Sequence, residues 1–463
     1  MQKTLREIRD GVGGKLVGGV IDNHLLVHGV STDSRTLKEN QLYIPLTGTR
    51  FNGHDFLSDA VKRGAVAALW AKDVPVPKNR PVPLIVVEDT LKALQDLAAA
   101  YRQELGVKVV GVTGSNGKTT TKDLIGAVLG VRYRVHQTSG NLNNHIGLPL
   151  TLLSMPEDTE VAVVEMGMNH KGEIARLSQI AAPDFAVITN IGDAHLEFLG
   201  SREAIADAKL EIREGLSPDG ILVMNGDEPL LRNRLTEEKR KVLKVGFESI
   251  NDDRALGLQM DGLRGISFTS SATDTRFELD MMGRHNAVNA LLAIHIGRLL
   301  GLTEAEIQKG LKQVQSSDMR LENLVAANGM TVINDAYNSS PSAVRATIDL
   351  ITSLKDFQEK WVLLGDILEL GENEEALHRE VGHYAAEKGV SRLFTLGDRA
   401  RWIGEGAQTA DPRLPVVHFK TVEEASERLM QDGGDFAVLL VKASRGARLE
   451  RVVYLLTEGA NRN

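Results

Sequence analysis

The stretch Lys108-Val-Val-Gly-Val-Thr-Gly-Ser-Asn-Gly-Lys-Thr119 joins an apolar run to a glycine-rich turn. The apolar run predicts a buried strand, and residues 119–129 predict a helix. The glycines therefore lie where a strand turns into a helix. Backbone N–H groups at such a turn, helped by the positive end of the helix dipole, bind anions. The stretch thus predicts a phosphate-binding loop at the centre of an α/β fold.

The loop residues predict a nucleotide triphosphate as the anion. Lys118 would neutralise the β- and γ-phosphates of ATP, and the Thr119 hydroxyl would bind Mg²⁺. The commonest form of this motif has glycine where the chain has Val112, so the first glycine is displaced to Gly111 or Gly114. A glycine turn beside a solvated lysine is the alternative. The expected ATP-binding residues of the loop are Gly114, Ser115, Asn116, Gly117, Lys118, Thr119 and Thr120.

Length and composition limit the class of protein. At about 150 residues per domain, 463 residues predict three domains. A net charge of -8 without a long basic run argues against nucleic-acid binding. The absence of cysteine excludes disulfides and thiolate catalysis. With no secretory leader and no apolar run of about 20 residues, we expect a cytoplasmic protein that does not contact membrane.

The order of strands and helices predicts three α/β domains. Short strand-like and helix-like pieces alternate in residues 1–104. In residues 105–313, apolar strands at 161–165, 185–190 and 221–225 predict a parallel sheet covered on both faces. In residues 314–463, strands at 330–334, 361–365, 393–396 and 437–441 predict a second, Rossmann-like α/β pattern.

Three charged residues outside the loop are candidates for the same site. Glu165 ends a predicted strand, where α/β sheets place ligands, and is a candidate Mg²⁺ ligand or an ordinary strand-end acid. His195 follows the next strand and would bind a metal or a phosphate oxygen, although a single loop histidine is more often only polar. Nothing in the residues around Lys209 distinguishes it from a solvated helical lysine.

The Thr-Gly-x-x-Gly-Lys-Thr pattern at 113–119 resembles the Mur ligase and folylpolyglutamate synthetase superfamily. Further segments along the chain are similar to the Mur ligase family, namely residues 283–289, 319–322, 334–341, 364–371 and 441–450. The resemblance implies a monomeric, three-domain enzyme with two Mg²⁺ ions. It implies that the enzyme uses ATP to join D-alanyl-D-alanine to UDP-N-acetylmuramoyl-tripeptide through an acyl phosphate.

The resemblance also implies roles for individual residues. Lys209 would be carbamylated and so become an oxygen ligand. Asn286 would either contact the nucleotide, cap a helix, or do both. The implied catalytic residues are Lys118, His195, Lys209 and Arg320. The implied metal ligands are Thr119, Glu165, His195 and Lys209. The implied nucleotide contacts beyond the loop are His285, Asn286, Asn289, Arg320, Asp335 and Asn338. The implied substrate contacts are Ser34, Arg35, Thr47, Gly48, His54, Asn141, Asn144, Lys442, Ser444 and Arg445.

The chain departs from the family pattern at Ala443 and Ala447, where relatives commonly have glycine and a larger apolar residue. It lacks the Asp-Asn-Pro-Arg segment of the ligase that adds diaminopimelate; the nearest string is Asp411-Pro-Arg413. Two other functions stay open: a folylpolyglutamate synthetase, and a phosphate-loop module that switches binding partners. The sequence does not decide whether lysine or diaminopimelate is the third residue of the tripeptide, and it identifies no general base.

Overall fold

The computed structural model describes residues 1–18, 22–49, 51–314 and 318–458. Within these ranges, no helix is long and apolar enough to cross a bilayer. The strands fall into three main sheets and one separate strand pair, and the chain passes through the main sheets in sequence order. The predicted α/β class with three parallel-rich sheets is confirmed.

The N-terminal sheet has the order β2-β7-β6-β5-β4 in the described residues, and β1 pairs with β3 beside it. Asp89 begins the last helix of this part by accepting the N–H groups of Leu91 and Lys92, and left-handed Gly106 ends it. The strands are β1 (Gln2–Thr4), β2 (Lys15–Val17), β3 (Leu26–His28), β4 (Val30–Ser31), β5 (Gln41–Tyr43), β6 (Ala65–Ala71) and β7 (Leu84–Val87). The helices are α1 (Leu5–Gly11), α2 (Leu57–Lys62) and α3 (Thr90–Leu105).

The central sheet has the order β16-β15-β14-β13-β12-β11-β8-β10-β9 over the part of the chain that the structure describes. Its strands are β8 (Lys108–Thr113), β9 (Val135–Gln137), β10 (Val161–Glu165), β11 (Phe185–Ile188), β12 (Ile221–Asn225), β13 (Val242–Gly246), β14 (Asp253–Met260), β15 (Ile266–Ser270) and β16 (Arg276–Leu279). Its helices are α4 (Lys118–Leu129), α5 (Gly147–Leu153), α6 (Glu173–Ala181), α7 (Leu196–Leu199), α8 (Arg202–Leu210), α9 (Pro229–Arg234), α10 (Arg284–Leu299) and α11 (Glu304–Lys312).

Both faces of the central sheet are buried, as the apolar strands predict. Along β8, Val109 belongs to one hydrophobic cluster, whereas Val110 and Val112 belong to the opposite one. The first cluster continues into the N-terminal sheet, and the second includes residues of α4 and α10. β8 pairs in parallel with both β10 and β11, so the loop after it opens at the carboxyl edge of the sheet.

The C-terminal sheet has the order β17-β18-β22-β19-β20-β21 among the described residues. β17 is antiparallel to β18, and the other pairs are parallel. The strands are β17 (Glu322–Val325), β18 (Thr331–Asn334), β19 (Glu359–Gly365), β20 (Arg392–Leu396), β21 (Val416–Phe419) and β22 (Ala437–Lys442). The helices are α12 (Pro341–Ser353), α13 (Glu374–Glu387), α14 (Arg401–Ala410), α15 (Val422–Asp432) and α16 (Glu450–Thr457).

A buried carboxylate ties the antiparallel end of the central sheet to α10. Asp253, at the start of β14, is fully buried, and its Oδ2 accepts from Ser270 Oγ at 2.7 Å and Arg298 Nη1 at 2.8 Å. His295 Nε2 lies 3.1 Å from the same oxygen. Burial would raise the pKa of this carboxyl, but hydrogen bonds from His295, Ser270 and Arg298 outweigh burial and hold the pKa well below its ordinary value.

We predict that Asp253→Asn lowers the free energy of unfolding by roughly 1.5–3 kcal/mol, because it removes the buried charge that accepts from Ser270, His295 and Arg298 and leaves Arg298 with Glu304 as its remaining counter-charge. The loss is measured by urea denaturation at pH 7. The pKa of Asp253 is lower in the folded than in the unfolded chain. Asp253 therefore stabilises the folded protein fully at any pH above the pKa of the unfolded chain, and this contribution is lost as the pH falls below that pKa. The difference from wild type should therefore shrink below about pH 4.

Glu278→Gln is the control for that measurement, because it removes an exposed carboxylate that pairs with Lys312 at 3.0 Å. This variant should unfold at nearly the same urea concentration as wild type. Equal stability of the two variants at neutral pH would contradict the role given to Asp253.

Candidate active site

The glycine-rich loop between β8 and α4 is held by the end of β11. Gly111 lies within β8, whereas Gly114 lies in the loop with φ 147°, so the displaced loop glycine is Gly114. A Cβ at Gly114 would overlap Thr189 Oγ1. Thr189 Oγ1 donates to the Asn116 carbonyl at 2.5 Å, and the Asn116 N–H donates to Asn190 Oδ1 at 2.9 Å. The loop conformation therefore depends on two polar residues that follow the neighbouring strand.

The side chains of the loop lie around the start of α4. The hydroxyl of Ser115 is buried without a hydrogen-bonding partner in the described residues. Lys118 Nζ donates to the carbonyls of Gly114 and Ser115 at 2.9 and 3.2 Å. Gly117, with φ 77°, is the N-cap of α4, and half-buried Thr120 lies in its first turn. The chain thus presents an unpaired hydroxyl and an ammonium at a helix N-terminus, which is a built anion site.

Glu165 and Thr119 form a pair of adjacent oxygen ligands. Thr119 Oγ1 donates to Glu165 Oε2 at 2.8 Å, and Asn143 Nδ2 donates to Glu165 Oε1 at 2.7 Å. Hydroxyl and carboxylate oxygens suit Mg²⁺, which usually takes one or two carboxylates together with substrate phosphates. The structure thus brings these two predicted ligands together. Asn143 was missed, because three asparagines at 141, 143 and 144 give no sequence signal for the one that faces Glu165.

Lys209 is not the solvated helical lysine that the sequence left open. Its side chain on α8 is 0% exposed, and Nζ has no hydrogen-bonding partner among the described residues. Burial lowers its pKa well below the ordinary value, and the charge of Lys118 lowers it further. Glu165 acts in the opposite direction. Lys209 therefore lies within electrostatic range of both Lys118 and Glu165.

Arg320, in the loop that precedes β17, lies within electrostatic range of Lys118 in the phosphate loop. Burial lowers the pKa of Lys118, Glu165 raises it, and the positive charge of Arg320 lowers it again. The residues on either side of Arg320 are left-handed, with φ 58° at Met319 and φ 54° at Leu321. Such non-glycine conformations are costly and concentrate at functional sites.

His195 connects the central sheet to the C-terminal part. It is left-handed, with φ 66°, immediately before α7. Its Nδ1 lies 2.6 Å from Glu369 Oε2, and the N–H of Glu197 donates to the Glu369 carbonyl at 3.1 Å. The contact with His195 lowers the pKa of Glu369. In the described ranges, no group of three or more histidine and acidic side chains is close enough to hold a metal. The structure therefore places His195 against Glu369.

The N-terminus of α10 packs against the phosphate loop. Asn289 Nδ2 donates to Asn286 Oδ1 at 2.9 Å, and Asn286 Nδ2 donates to the Met282 carbonyl at 2.7 Å. A Cβ at Gly117 would lie 3.0 Å from Asn289 Oδ1. The N-cap of α10 is Gly283, without a side-chain cap bond, so the helix-cap alternative for Asn286 is wrong.

His285 lies in the first turn of α10. Its side chain is exposed, and desolvation by the protein around the ring lowers its pKa. The charge of Asp335 raises that pKa and the charge of Lys442 lowers it. Lys442 Nζ donates to Asp335 Oδ2 at 2.5 Å and to the Asn338 carbonyl at 3.0 Å. These predicted site residues therefore form one group at the ends of β18 and β22.

The remaining predicted residues of the C-terminal part differ in exposure. Ser444 is 4% exposed, and its Oγ accepts the Leu368 N–H at 2.9 Å. Arg445 is exposed, and its guanidinium lies 3.5 Å from Glu450. Of the predicted substrate residues here, Arg445 is thus the one that is open to solvent in the described structure, while Lys442 and Ser444 bond to the protein.

In the N-terminal sheet, two of the predicted segments are shaped by internal hydrogen bonds. Arg35 pairs with Asp33 at 2.8 Å and lowers the pKa of Asp33 to about 2, while Ser34 between them is half-buried. His54 is buried, with Nδ1 2.7 Å from Asn52 Oδ1 and Nε2 accepting the Ala71 N–H at 3.2 Å. Its substrate contact stays a prediction.

The turn at Thr47 and Gly48 presents an exposed aromatic ring. Thr47 forms an isolated bridge with Asn52, and Phe51 between them is 60% exposed. Arg50, in the same predicted segment, lies outside the described residues. This turn is open to a ligand on its outer side.

The two predicted asparagines after α4 are exposed. Asn141 lies in the loop before α5, and Asn144 Oδ1 accepts the N–H groups of Ile146 and Gly147 at the start of that helix. Asn144 therefore holds the start of α5 with its side-chain oxygen, and its substrate contact stays a prediction.

Together these features define a class: an α/β phosphate-loop protein whose C-terminal part contacts the phosphate loop at Asn116. Three family models match successive parts of the chain. They are the Mur ligase family catalytic domain over residues 26–102, the Mur ligase middle domain over 112–297 and the Mur ligase glutamate ligase domain over 319–445. The chain belongs to the Mur ligase family.

Individual relatives match almost the whole chain. It is 45% identical over 459 residues to the UDP-N-acetylmuramoyl-tripeptide--D-alanyl-D-alanine ligase of Bacillus subtilis, covering 99% of each protein. A crystal structure of MurF from Acinetobacter baumannii, 28% identical, superposes with a TM-score of 0.89 and covers 98% of this chain and 99% of that one. MurF ligase from Thermotoga maritima in complex with ADP, 29% identical, gives a TM-score of 0.82 with coverage of 93% and 97%.

We predict that Gly114→Ala abolishes most nucleotide binding, because the added methyl group would overlap Thr189 in a backbone conformation that alanine avoids. Calorimetric titration with ATP measures the affinity. Gly389→Ala is the matched control: this glycine also has a positive φ, 74°, but a Cβ there meets nothing within 4 Å. The control should bind ATP as wild type does, and equal affinities of all three proteins would contradict the prediction.

Proposed function

We propose that the protein uses ATP to join D-alanyl-D-alanine to UDP-N-acetylmuramoyl-tripeptide, releasing ADP and phosphate. The observation that carries the proposal is the Thr119–Glu165 contact of 2.8 Å beside the phosphate loop, in a chain of this family whose Arg320 lies within electrostatic range of Lys118. The product would be the UDP-linked pentapeptide precursor of peptidoglycan, made in the cytoplasm. We also propose that the enzyme acts as a monomer.

The reaction needs ATP because a carboxylate is a poor acyl donor: direct attack would have to expel oxide. The terminal carboxylate of the tripeptide attacks the γ-phosphorus, and ADP leaves. The amine of D-alanyl-D-alanine then attacks the acyl carbon of the acyl phosphate, phosphate leaves, and the amine loses a proton. An α-amino pKa near ~8 leaves roughly a tenth of the amine neutral at pH 7, so a weak base suffices.

Lys118 and Arg320 would stabilise the charge on the transferred phosphoryl oxygens, where most of the catalysis of phosphoryl transfer resides. Arginine suits this position because its planar fork binds two phosphate oxygens at once. Asn289 packs against Gly117 of the loop and bonds to Asn286, which supports a nucleotide-binding role for both. We propose the same role for His285, Asp335 and Asn338, which are linked through Lys442.

Mg²⁺ would neutralise the phosphate charges. Its first site would be formed by Thr119 and Glu165, whose oxygens are 2.8 Å apart. We propose that a second ion is held by His195 and carbamylated Lys209. The unpaired, fully buried Nζ of Lys209 supports this modification. Because burial lowers the pKa of the amine, it favours the neutral form, which would attack CO₂ and lose a proton to give an anionic carbamate.

We propose that the chain divides into domains at residues 104/105, next to the last residue of α3, and at 313/314, between α11 and β17. We propose that the N-terminal part binds the UDP-sugar through Ser34, Arg35, Thr47, Gly48 and His54. Asn141 and Asn144 would contact the peptide, and Lys442, Ser444 and Arg445 would shape the site of the dipeptide.

We predict that Lys209→Met is inactive and loses a carbamate signal that wild type shows in carbon NMR with isotopically labelled CO₂. The reason is that methionine keeps the apolar packing of a buried side chain but lacks the amine that reacts. Lys122→Met is the control, because Lys122 is also buried on a helix near the loop but donates to the Thr138 carbonyl at 2.9 Å. Active wild type without any carbamate signal would exclude the modification.

The function itself is tested by measuring phosphate release with each substrate omitted in turn. We expect release only when ATP, UDP-N-acetylmuramoyl-tripeptide and D-alanyl-D-alanine are all present, and we expect Lys118→Ala to lower kcat by at least about 100-fold while the protein stays folded. Phosphate release with a folate and glutamate would indicate a folylpolyglutamate synthetase. ATP hydrolysis indifferent to both peptide substrates would indicate a switching module.

A further inference from the structure

We propose that Tyr337 is a positioning residue, whose ring holds the guanidinium of Arg320 in the orientation needed to bind the transferred phosphoryl group. The proposal rests on the proposed function. Tyr337 lies in the segment that follows β18, and Arg320 lies in the loop that precedes β17. Neither the phosphate-loop motif nor the predicted contact residues include this tyrosine.

The guanidinium of Arg320 lies over the face of the Tyr337 ring. Arg320 Cζ lies 4.2 Å from the centroid of the Tyr337 ring. Within the residues that the structure describes, the Arg320 guanidinium has no hydrogen-bonding or ion-pairing partner. The aromatic face is therefore the side-chain contact that restrains this cation.

Stacking fixes the plane of an arginine without using its hydrogen-bond donors. All five N–H groups of a guanidinium lie in its plane and point outwards from its edge. A carboxylate partner would use two of these donors and cancel the charge, whereas a ring beneath the plane uses none and interacts with the charge favourably. Arg320 is thus held in place with its full charge and its donors available for phosphate oxygens.

The backbone that carries Arg320 is fixed separately, so the ring acts on the side chain. Glu322 Oε2 accepts from Asn334 Nδ2 at 2.9 Å and from the Met319 N–H at 3.3 Å. The N–H of Tyr337 donates to the Met319 carbonyl at 3.3 Å. These bonds hold the left-handed residues on either side of Arg320 against the end of β18.

The same ring also contacts a second cation. Arg445 Cζ lies 5.7 Å from the Tyr337 centroid, and Arg445 Nη1 lies 3.3 Å from Met319 Sδ. One ring therefore contacts two arginines, Arg320 from the loop before β17 and Arg445 from the turn after β22. A change at Tyr337 is expected to disturb both, but the effect on phosphoryl transfer passes through Arg320.

The test is a double-mutant cycle with Tyr337→Leu, Tyr337→Phe, Arg320→Ala and the Leu/Ala double variant, measured as kcat and as the KM for ATP. Tyr337→Leu should lower kcat about tenfold or more, and Tyr337→Phe, which keeps the ring, should retain kcat within about twofold. The KM for ATP should change little in either. In the Arg320→Ala background, the additional effect of Tyr337→Leu should vanish.

Three results would overturn the proposal: an equal loss of kcat from leucine with and without Arg320, a phenylalanine variant as slow as leucine, or a raised KM for ATP with kcat intact. Tyr337→Met is measured in parallel, so that a folding defect in one variant leaves the cycle readable. The substrate-omission experiment on wild type tests the proposed function separately. If the substrate-omission experiment does not show ligation, the rate of ATP hydrolysis by the same variants replaces kcat in the double-mutant cycle, and the same results support or overturn the proposal.

Discussion

The site depends on one constraint, the close contact between the Gly114 turn and the end of β11. Thr189 occupies the volume that any side chain at Gly114 would need, and it also bonds the Asn116 carbonyl. This contact exists because β8 and β11 are parallel neighbours, so that their carboxyl ends lie side by side. The contact fixes the loop conformation, so that α4 begins after Gly117 and the backbone N–H groups of the loop point towards a bound anion.

Around the loop the protein places three basic side chains. Lys118 lies within electrostatic range of Arg320 and of Lys209, and Glu165 is the carboxylate that acts on both lysines. Such an arrangement is unfavourable in the protein alone and becomes favourable when a polyanion or a carbamate supplies the missing negative charge. These basic groups complement the negative charge of a nucleotide triphosphate. Because Arg320 contacts the Tyr337 ring and not a carboxylate, its positive charge stays uncompensated until the ligand is bound.

The site is also composite, because the C-terminal sheet closes it at several points. Asn116 of the loop lies 3.5 Å from both Ser340 Oγ and Ser342 Oγ at the start of α12. His195 Nδ1 contacts Glu369 Oε2, and the charges of Asp335 and Lys442 shift the pKa of His285. Each contact joins a residue of the central part to one that is at least 50 positions away in sequence. A relative movement of the sheets would therefore change all of these contacts together.

The sequence by itself determined the α/β class, the three sheets, the loop and most strand positions, because buried parallel strands are continuous apolar runs and a glycine turn before a helix has a local cause. It did not predict the antiparallel strands β14 to β16, whose partly exposed residues lack such runs. Only the tertiary structure decided that Gly114 is the loop glycine, that Lys209 is buried, that Asn143 rather than its neighbours meets Glu165, and that Tyr337 stacks on Arg320. These facts depend on contacts between residues that are distant in sequence, and no local pattern encodes the distance between two such side chains.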